Sequence, residues 1–253
     1  MNQRTSSLNR KPYLLFGVIL IIVIWELLSL LIGENVFILP GPIESLKYAW
    51  YLLSNSYVYY FIFQSLLKMI LGFIISFALS LIIGIISGSN EIIKYILEPL
   101  ISLLRSIPTV SLVYLFLLLV GIKIAPILIV ILVAFPILFE NIVAGIENVP
   151  EHIEYAARVD GSSFFKTLLK IKLPIAKPYI LAGVYSSIGL AFKIEIMAEV
   201  ITGSSSNGLG SAIVAAQRSD PTNMLPVFAY STIVIAISLI IDYLIKHSNN
   251  SYN

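Results

Sequence analysis

Charged side chains set inside apolar runs are the first residues of this sequence with chemistry to offer. Lys193, Glu195 and Glu199 fall within one such run and Arg105 within another, while Glu26, Lys68 and Glu140 each interrupt a further one. A charge at membrane depth is costly, and where one is kept it pairs with another charge or lines a path for ions or solute. Glu195 and Glu199 are four apart, so a helix puts them on one face. With Arg105 and Lys193 they are candidates for lining a translocation path; pairing of the glutamates with Lys68 or Arg105 is the alternative arrangement. Enzyme chemistry has little to work with. There are no cysteines, which excludes thiolate nucleophiles, disulfides and Cys-based metal sites. His152 and His247 both lie outside the apolar runs, so a histidine-based metal or acid–base site within the membrane is not expected. No G-x-x-x-x-G-K-[ST] loop occurs, so the chain does not bind ATP through a P-loop. No catalytic residue, metal or cofactor is expected in this chain.

The longest polar interruption, residues 148–178, lies between two apolar runs. It opens Asn148-Val149-Pro150-Glu151, with a capping Asn, a Pro in the first turn and acids near the positive end of the helix dipole. A short helix can run to Asp160. Glu154 and Arg158 can pair on its wet side, with Ile153, Ala156 and Ala157 on the other. Gly161 stops it by accepting a left-handed turn, and Ser162 or Ser163 can cap a second short helix. In that helix Phe164/Leu168 and Phe165/Leu169 form i,i+4 apolar pairs, Lys166 and Lys170 line the wet side, and Leu173-Pro174 marks the end. Two short helices around a glycine elbow read as a surface made to meet a partner.

This loop resembles that of the membrane-spanning permeases of bacterial ABC importers, whose pattern is E-A-A-x3-G-x9-I-x-L-P. Here Ala156-Ala157, three residues, Gly161, nine residues and Ile171-Lys172-Leu173-Pro174 reproduce the spacing; Tyr155 stands at the family's Glu, with Glu154 one residue earlier. Further stretches look like the same family: Leu39-Pro40-Gly41-Pro42, Leu103 through Pro108, Gly189-Leu190-Ala191, Ala198-Glu199 and Gly208-Leu209-Gly210. The nitrate/sulfonate/taurine branch is the most similar. The resemblance implies a type I permease fold, a dimer of permease copies, two ATPase subunits in the cytoplasm and an extracytoplasmic solute-binding protein. It also implies that the loop docks on the ATPase through Glu154, Tyr155, Ala156, Ala157, Asp160, Gly161 and Ser162.

Composition agrees independently that the chain lives in lipid. Of 253 residues 58% are hydrophobic and 12% charged, with mean hydropathy +0.94, a balance that leaves too little polar surface for a soluble domain. A formal charge of +2 is too small to suggest nucleic acid. Residues 1–12 are a polar, basic cytoplasmic tail. The first span, 13–32, is too long for a signal-peptide core and lacks a small-x-small cleavage site, so it reads as an uncleaved anchor, with Glu26 facing other helices. Residues 33–60 form an external interfacial segment with a helix from Pro42 through Leu53 and an aromatic belt of Tyr48, Trp50, Tyr51, Tyr57, Tyr59 and Tyr60. The permease domain proper, 61–247, follows. Its first span, about 61–87, carries Gly72, Ser76, Ser80, Gly84 and Gly88 four apart, a small-residue ridge for close packing within the bundle or against a second copy. After a polar turn, the span 96–120 is kinked at Pro108; a tight turn at 121–123 leads to 124–146, with Pro126 and Pro136. The fifth span, 179–201, an external Gly/Ser/Asn-rich segment, 202–223, and a last span, 224–245, precede the polar tail 248–253.

With the amino terminus inside and six spans, the inner segments hold ten Lys and Arg residues and the outer segments three. This satisfies the positive-inside rule and puts the 148–178 loop in the cytoplasm. The expected fold is an all-α membrane protein of about six transmembrane helices, lying in the plasma membrane of a bacterium. The expected function is the permease subunit of an ATP-driven importer coupled to a separate ATPase through residues 150–174. The alternative is a secondary transporter or channel using the intramembrane charges as a relay, which inverted repeats would favour; the two halves share no obvious motif.

Overall fold

The computed structural model describes residues 10–32, 39–203 and 207–250. Eleven α-helices in chain order make up its regular structure: α1 Arg10–Leu31, α2 Pro42–Leu53, α3 Ser56–Gly88, α4 Glu91–Ser106, α5 Thr109–Val120, α6 Ala125–Glu147, α7 Glu151–Val159, α8 Phe164–Thr167, α9 Leu173–Thr202, α10 Leu209–Ser219 and α11 Leu225–Asn250. A π turn, Leu168–Lys172, joins α8 to α9 without a break. The expected tails, 1–12 and 248–253, lie mostly outside the described residues.

The bundle is organised on α6, which packs between α3 and α9. Its own sequence, Ala-Pro-Ile-Leu-Ile-Val onward, is apolar almost all round, as a helix enclosed by others must be. Close approach comes from small residues on the partners. Every member of the predicted α3 ridge faces α6. A Cβ at Gly72 would sit 2.9 Å from the Ile127 carbonyl oxygen, one at Gly84 would sit 2.8 Å from Ile142 Cγ2, and one at Gly88 would sit 2.9 Å from Ile146 Cβ. Between them, Ser76 and Ser80 donate to the carbonyl oxygens of Ile131 and Phe135, each at 3.1 Å. In lipid no hydrophobic gain favours helix–helix contact over helix–lipid contact, so close packing and such interhelical hydrogen bonds, worth about 0.6 kcal/mol each, hold the pair together. The ridge therefore serves the bundle of this chain. On the other side of α6, Gly145 accommodates Ala176 and Tyr179 of α9, and Gly183 of α9 accommodates Asn141.

Among the described residues, four helices are long and apolar enough to cross a membrane: α3, α6, the continuous helix Phe164–Thr202 and Leu225–His247. The third expected span is not a kinked rod. α4 and α5 are long and apolar enough only when taken together, and they meet at 95° across the break. Proline pushes the preceding residue out of the helical region, and Ile107, before Pro108, is extended at φ −73, ψ 126. Gly121, at φ +79, then ends α5. The first expected span corresponds to α1, whose apolar part, Phe16–Leu31, is shorter than those four. It is tied to the α2 entry by Trp25 Nε1 donating to the Pro40 carbonyl (3.1 Å) and Ser29 Oγ donating to that of Leu39 (2.7 Å). Glu26 faces Gly41 at the α2 N-terminus, where partial positive charge collects. The belt aromatics crowd the α2–α3 corner, with Trp50, Tyr51, Tyr57, Tyr59 and Tyr60 all exposed.

One segment departs fully from expectation. The external stretch 202–223 contains α10, whose first residues Leu209 to Ala212 are buried. Its glycines, read as loop markers, are there for contact: a Cβ on Gly210 would lie 2.5 Å from the Ile196 carbonyl oxygen and 2.6 Å from Glu199 Cβ.

Replacing Gly84 by Leu should wedge α3 away from α6 and cost about 1–3 kcal/mol, whereas Ile82→Leu, on the outward face, should be nearly silent. Thermal unfolding of the detergent-solubilised protein reads the difference, and equal melting temperatures would contradict the packing.

Candidate functional site

Two clusters of polar chemistry emerge: the α7–α8 hairpin outside the bundle, and the charges within it.

The hairpin begins where α6 ends. Asn148 caps the C-terminus of α6 and does not start α7; the carbonyl of Pro150 instead receives the N–H groups of Ile153 (3.0 Å) and Glu154 (3.5 Å). Gly161 ends α7 as its chemistry predicts. It lies at φ +71, and Ser162 N–H reaches back to the Ala157 carbonyl at 2.9 Å, the closure of a Schellman turn. Ser163 caps α8, accepting the Lys166 N–H at 3.4 Å. Leu173-Pro174 does not end the second arm. Pro174 has no N–H to give the preceding turn, and the helix absorbs this by widening: Leu173 N–H skips to the Leu168 carbonyl, five residues back. The arm then runs on as a single helix from Phe164 to Thr202.

The faces of the hairpin differ from expectation in an informative way. Glu154 turns inward and pairs with Lys172 at 2.6 Å; Lys172 is only 7% exposed. The predicted partner of Glu154, Arg158, has no described side chain. Ala157 is buried beside this pair, whereas Ala156, expected on the same side, is exposed. The outward surface carries Tyr155, Val159, Phe164, Phe165 and Leu169, all more than half exposed, with Asp160 and Gly161 at its edge and Ser162 half-buried. Of the predicted docking residues, Tyr155, Ala156, Asp160 and Gly161 are thus on the open face, and Glu154 and Ala157 are on the closed one. From sequence the exposed phenylalanines count only as i,i+4 partners of Leu168 and Leu169; their number on so short a hairpin is the available signal. Behind it, a cavity of about 630 Å3 opens between α7, the α3–α4 turn and the end of α6, bordered by Asn90, Lys94, Glu147 and Lys172.

Within the bundle, Glu199 is fully buried and fully satisfied. Lys68 Nζ donates to Oε1 at 2.8 Å, and Ser65 Oγ (2.7 Å) and Gly210 N–H (3.0 Å) donate to Oε2. Ser65 also accepts the Leu209 N–H at 2.8 Å. The carboxylate therefore sits on the N-terminus of α10, where free N–H groups and the helix dipole favour an anion. Gly208 belongs to the same cradle: a Cβ there would collide with the Glu199 carboxyl. Glu195, one turn earlier, is equally buried, but neither carboxyl oxygen has a hydrogen-bond partner among the described residues. Lys193 is exposed, about 200° round the helix from Glu195. Arg105 pairs with Glu140 on α6, far in sequence from the Glu199 cluster. The four predicted path residues thus occupy three places.

Removing one member of a buried ion pair leaves an uncompensated charge, at about 3–5 kcal/mol. Lys68→Met should therefore destabilise the protein more than the double variant Lys68→Met/Glu199→Gln does. Thermal unfolding of both in detergent checks this, and a double variant weaker than the single would sink it.

Comparison with known proteins adds to this geometry. The family described as "Binding-protein-dependent transport system inner membrane component" matches residues 80–252. Two relatives carry provisional names. One, an ABC transporter permease of Brucella melitensis, is 31% identical over 226 residues that cover 88% of each chain. The other, an aliphatic sulfonates transport permease of Bacillus subtilis, is 29% identical and covers 89% of this chain and 81% of its own. The solved inward-facing MetNI methionine ABC transporter shares the fold at TM-score 0.64 and 14% identity, over 76% of this chain and 94% of that one. An α-helical bundle built for lipid and a matched family meet in one conclusion: the chain belongs to the binding-protein-dependent transport system inner membrane component family and is a multi-pass permease subunit of an ABC importer.

Proposed function

We propose that the α7–α8 hairpin is the surface on which a separate ATPase subunit docks, and that its movement reaches the membrane spans through α9. The observation that carries this reading is continuity: the second arm of the hairpin and a span 39 residues long in all are one helix. A force on the arm is therefore a force on the span. The Glu154–Lys172 pair ties the first arm to the root of the second, so the hairpin moves as one body. The outer face offers Tyr155, Phe164 and Phe165 to a partner. Exposed aromatic clusters of this kind, rimmed here by Asp160, Lys166 and Lys170, are what protein interfaces bury. The chain has no P-loop of its own, so ATP hydrolysis belongs to the partner. Closure of the ATPase dimer then biases the spans between two openings, a two-state element driven by differential binding.

The docking face lies in the cytoplasm together with the amino terminus, in the plasma membrane of a bacterium; the excess of Lys and Arg in the segments on that side supports this. A solute-binding protein delivers a small solute from the other side, and a second permease copy completes the path. Arg105, Lys193 and Glu195 line it. Glu195 is the strongest of the three, because a buried polar group without a partner calls for a functional explanation. Glu199, by contrast, is engaged as a structural tie.

Phe165→Glu should reduce co-purification of the ATPase subunit about tenfold or more, the effect of losing about 1.4 kcal/mol from an interface; undiminished co-purification would refute docking at this face. Glu154→Gln should leave the ATPase bound but loosen transmission. ATP would then no longer shift a fluorophore placed on a single cysteine introduced in α9, and the charge swap Glu154→Lys/Lys172→Glu should restore the response. A full response in Glu154→Gln alone would show that the ion pair transmits nothing.

A further inference from the structure

One stripe of the face that α4 turns toward α6 is polar, beside the apolar contact of Leu97 and Ile101 with Phe139 and Val143. Lys94, Glu98, Ser102 and Arg105 recur at helical spacing on one stripe of α4, while Ile96, Leu100 and Leu103 occupy the opposite, exposed side. α6, otherwise enclosed, has a single exposed stripe in this half, Glu140, Ala144 and Glu147, and it lies across from the first. The two stripes enclose a groove of about 500 Å3. Ion pairs close it at both ends: Lys94 with Glu147 at 2.7 Å, and Arg105 with Glu140.

Two physical arguments say what fills it. Glu140 lies seven residues, about 10 Å, inward of Glu147 along α6. Even so, Arg105 and Glu140 keep 58% and 45% of their side-chain surface open. Charged groups at that depth do not face hydrocarbon; they face water or protein. Charge bookkeeping then sets the preference. Both bases in the groove already have a carboxylate, and Glu98, between the two pairs, is within salt-bridge distance of no cation among the described residues. Water filling the groove therefore feels one net negative charge between low-dielectric walls, which concentrates cations.

We propose that the groove between α4 and α6 is a water-filled stretch of the solute path that favours a positively charged group on the solute, with Glu98 as its counter-ion. The inference rests on the permease reading and adds to it a chemical class of cargo, one bearing an ammonium, amidinium or similar cationic centre. Arg105 and Glu140 act as a rung that holds α4 at its distance from α6 beside the 95° break.

The chain lacks cysteine, so Ser102→Cys introduces a unique thiol in the middle of the groove. The probes are two methanethiosulfonates, one carrying trimethylammonium and one carrying sulfonate, applied to inside-out vesicles containing the complex with its ATPase and no ATP. Both should modify Ser102→Cys, the cationic reagent about tenfold faster relative to its rate on a free thiol. Glu98→Gln should bring that ratio close to one, and Leu100→Cys on the far side should resist both reagents. Three results would overturn the proposal. Equal normalised rates would remove the charge preference. Labelling by N-ethylmaleimide alone would place the site in lipid. Efficient oxidative cross-linking of two chains through Ser102→Cys would show the groove sealed by a second copy. Since the measurement uses no ATP, its failure leaves docking at the α7–α8 hairpin standing, and a failure of docking leaves the labelling pattern unchanged.

Discussion

A single buried carboxylate ties α3, α9 and α10 together. Glu199 takes Lys68 and Ser65 from α3 and Gly210 from the start of α10, so α3, more than a hundred residues away in sequence, meets α9 and α10 on one charge. In lipid an ion pair left half satisfied would cost far more than it returns; here each carboxyl oxygen has donors and the lysine has its anion. The glycines of the 208–210 stretch follow from this, since only a backbone without a Cβ can come so close to the carboxyl. So does the burial of α10 itself, which would otherwise be an external loop.

The seam around α6 is held differently. There α3 and α9 press on α6 through glycines and serines. Packing of this kind is rigid, because small residues leave no side chain to repack. Rigidity suits the job of the second arm of the hairpin. The π turn at Leu168–Lys172 lets the helix pass Pro174 without breaking, and Lys172, at the end of that turn, reaches Glu154 on the first arm. A continuous helix thereby replaces the stop that Leu173-Pro174 suggested. The left-handed Gly161 remains as the bend between the arms. The secondary-transporter alternative required Lys193, Glu195 and Glu199 to act together; the helix puts Lys193 on the outside and leaves Glu195 without Lys193 as neighbour, and the family match favours the importer.

Much of this was legible in the sequence because it is local or summed. Hydropathy over about twenty residues marks a crossing whatever its neighbours do, and a glycine after a short amphipathic helix marks a left-handed turn by its own sterics. The small-residue ridge of α3 gave its own periodicity, although not its partner. The errors share a cause as well. Glu154 reads locally as belonging to the wet side of its own helix, but the base it meets in space is Lys172, on the other arm. Pro174 read as a stop because its missing N–H is a local fact, while the compensating π turn draws on the surrounding packing. Gly208 and Gly210 read as loop for want of any sign of the carboxylate they approach.

The chain by itself therefore determined that it lies in a membrane, where its long apolar runs fall, where the hairpin turns and which family it belongs to, since each of these depends on residue type and spacing alone. Only the tertiary structure decided which charges pair, which face of the hairpin stays open, that α4 and α5 stand nearly at right angles, and that α10 folds back onto Glu199. Those choices rest on distances between residues far apart in sequence, in a medium where an unpaired charge or an unfilled contact is too costly to leave, and such distances exist only once the bundle has formed.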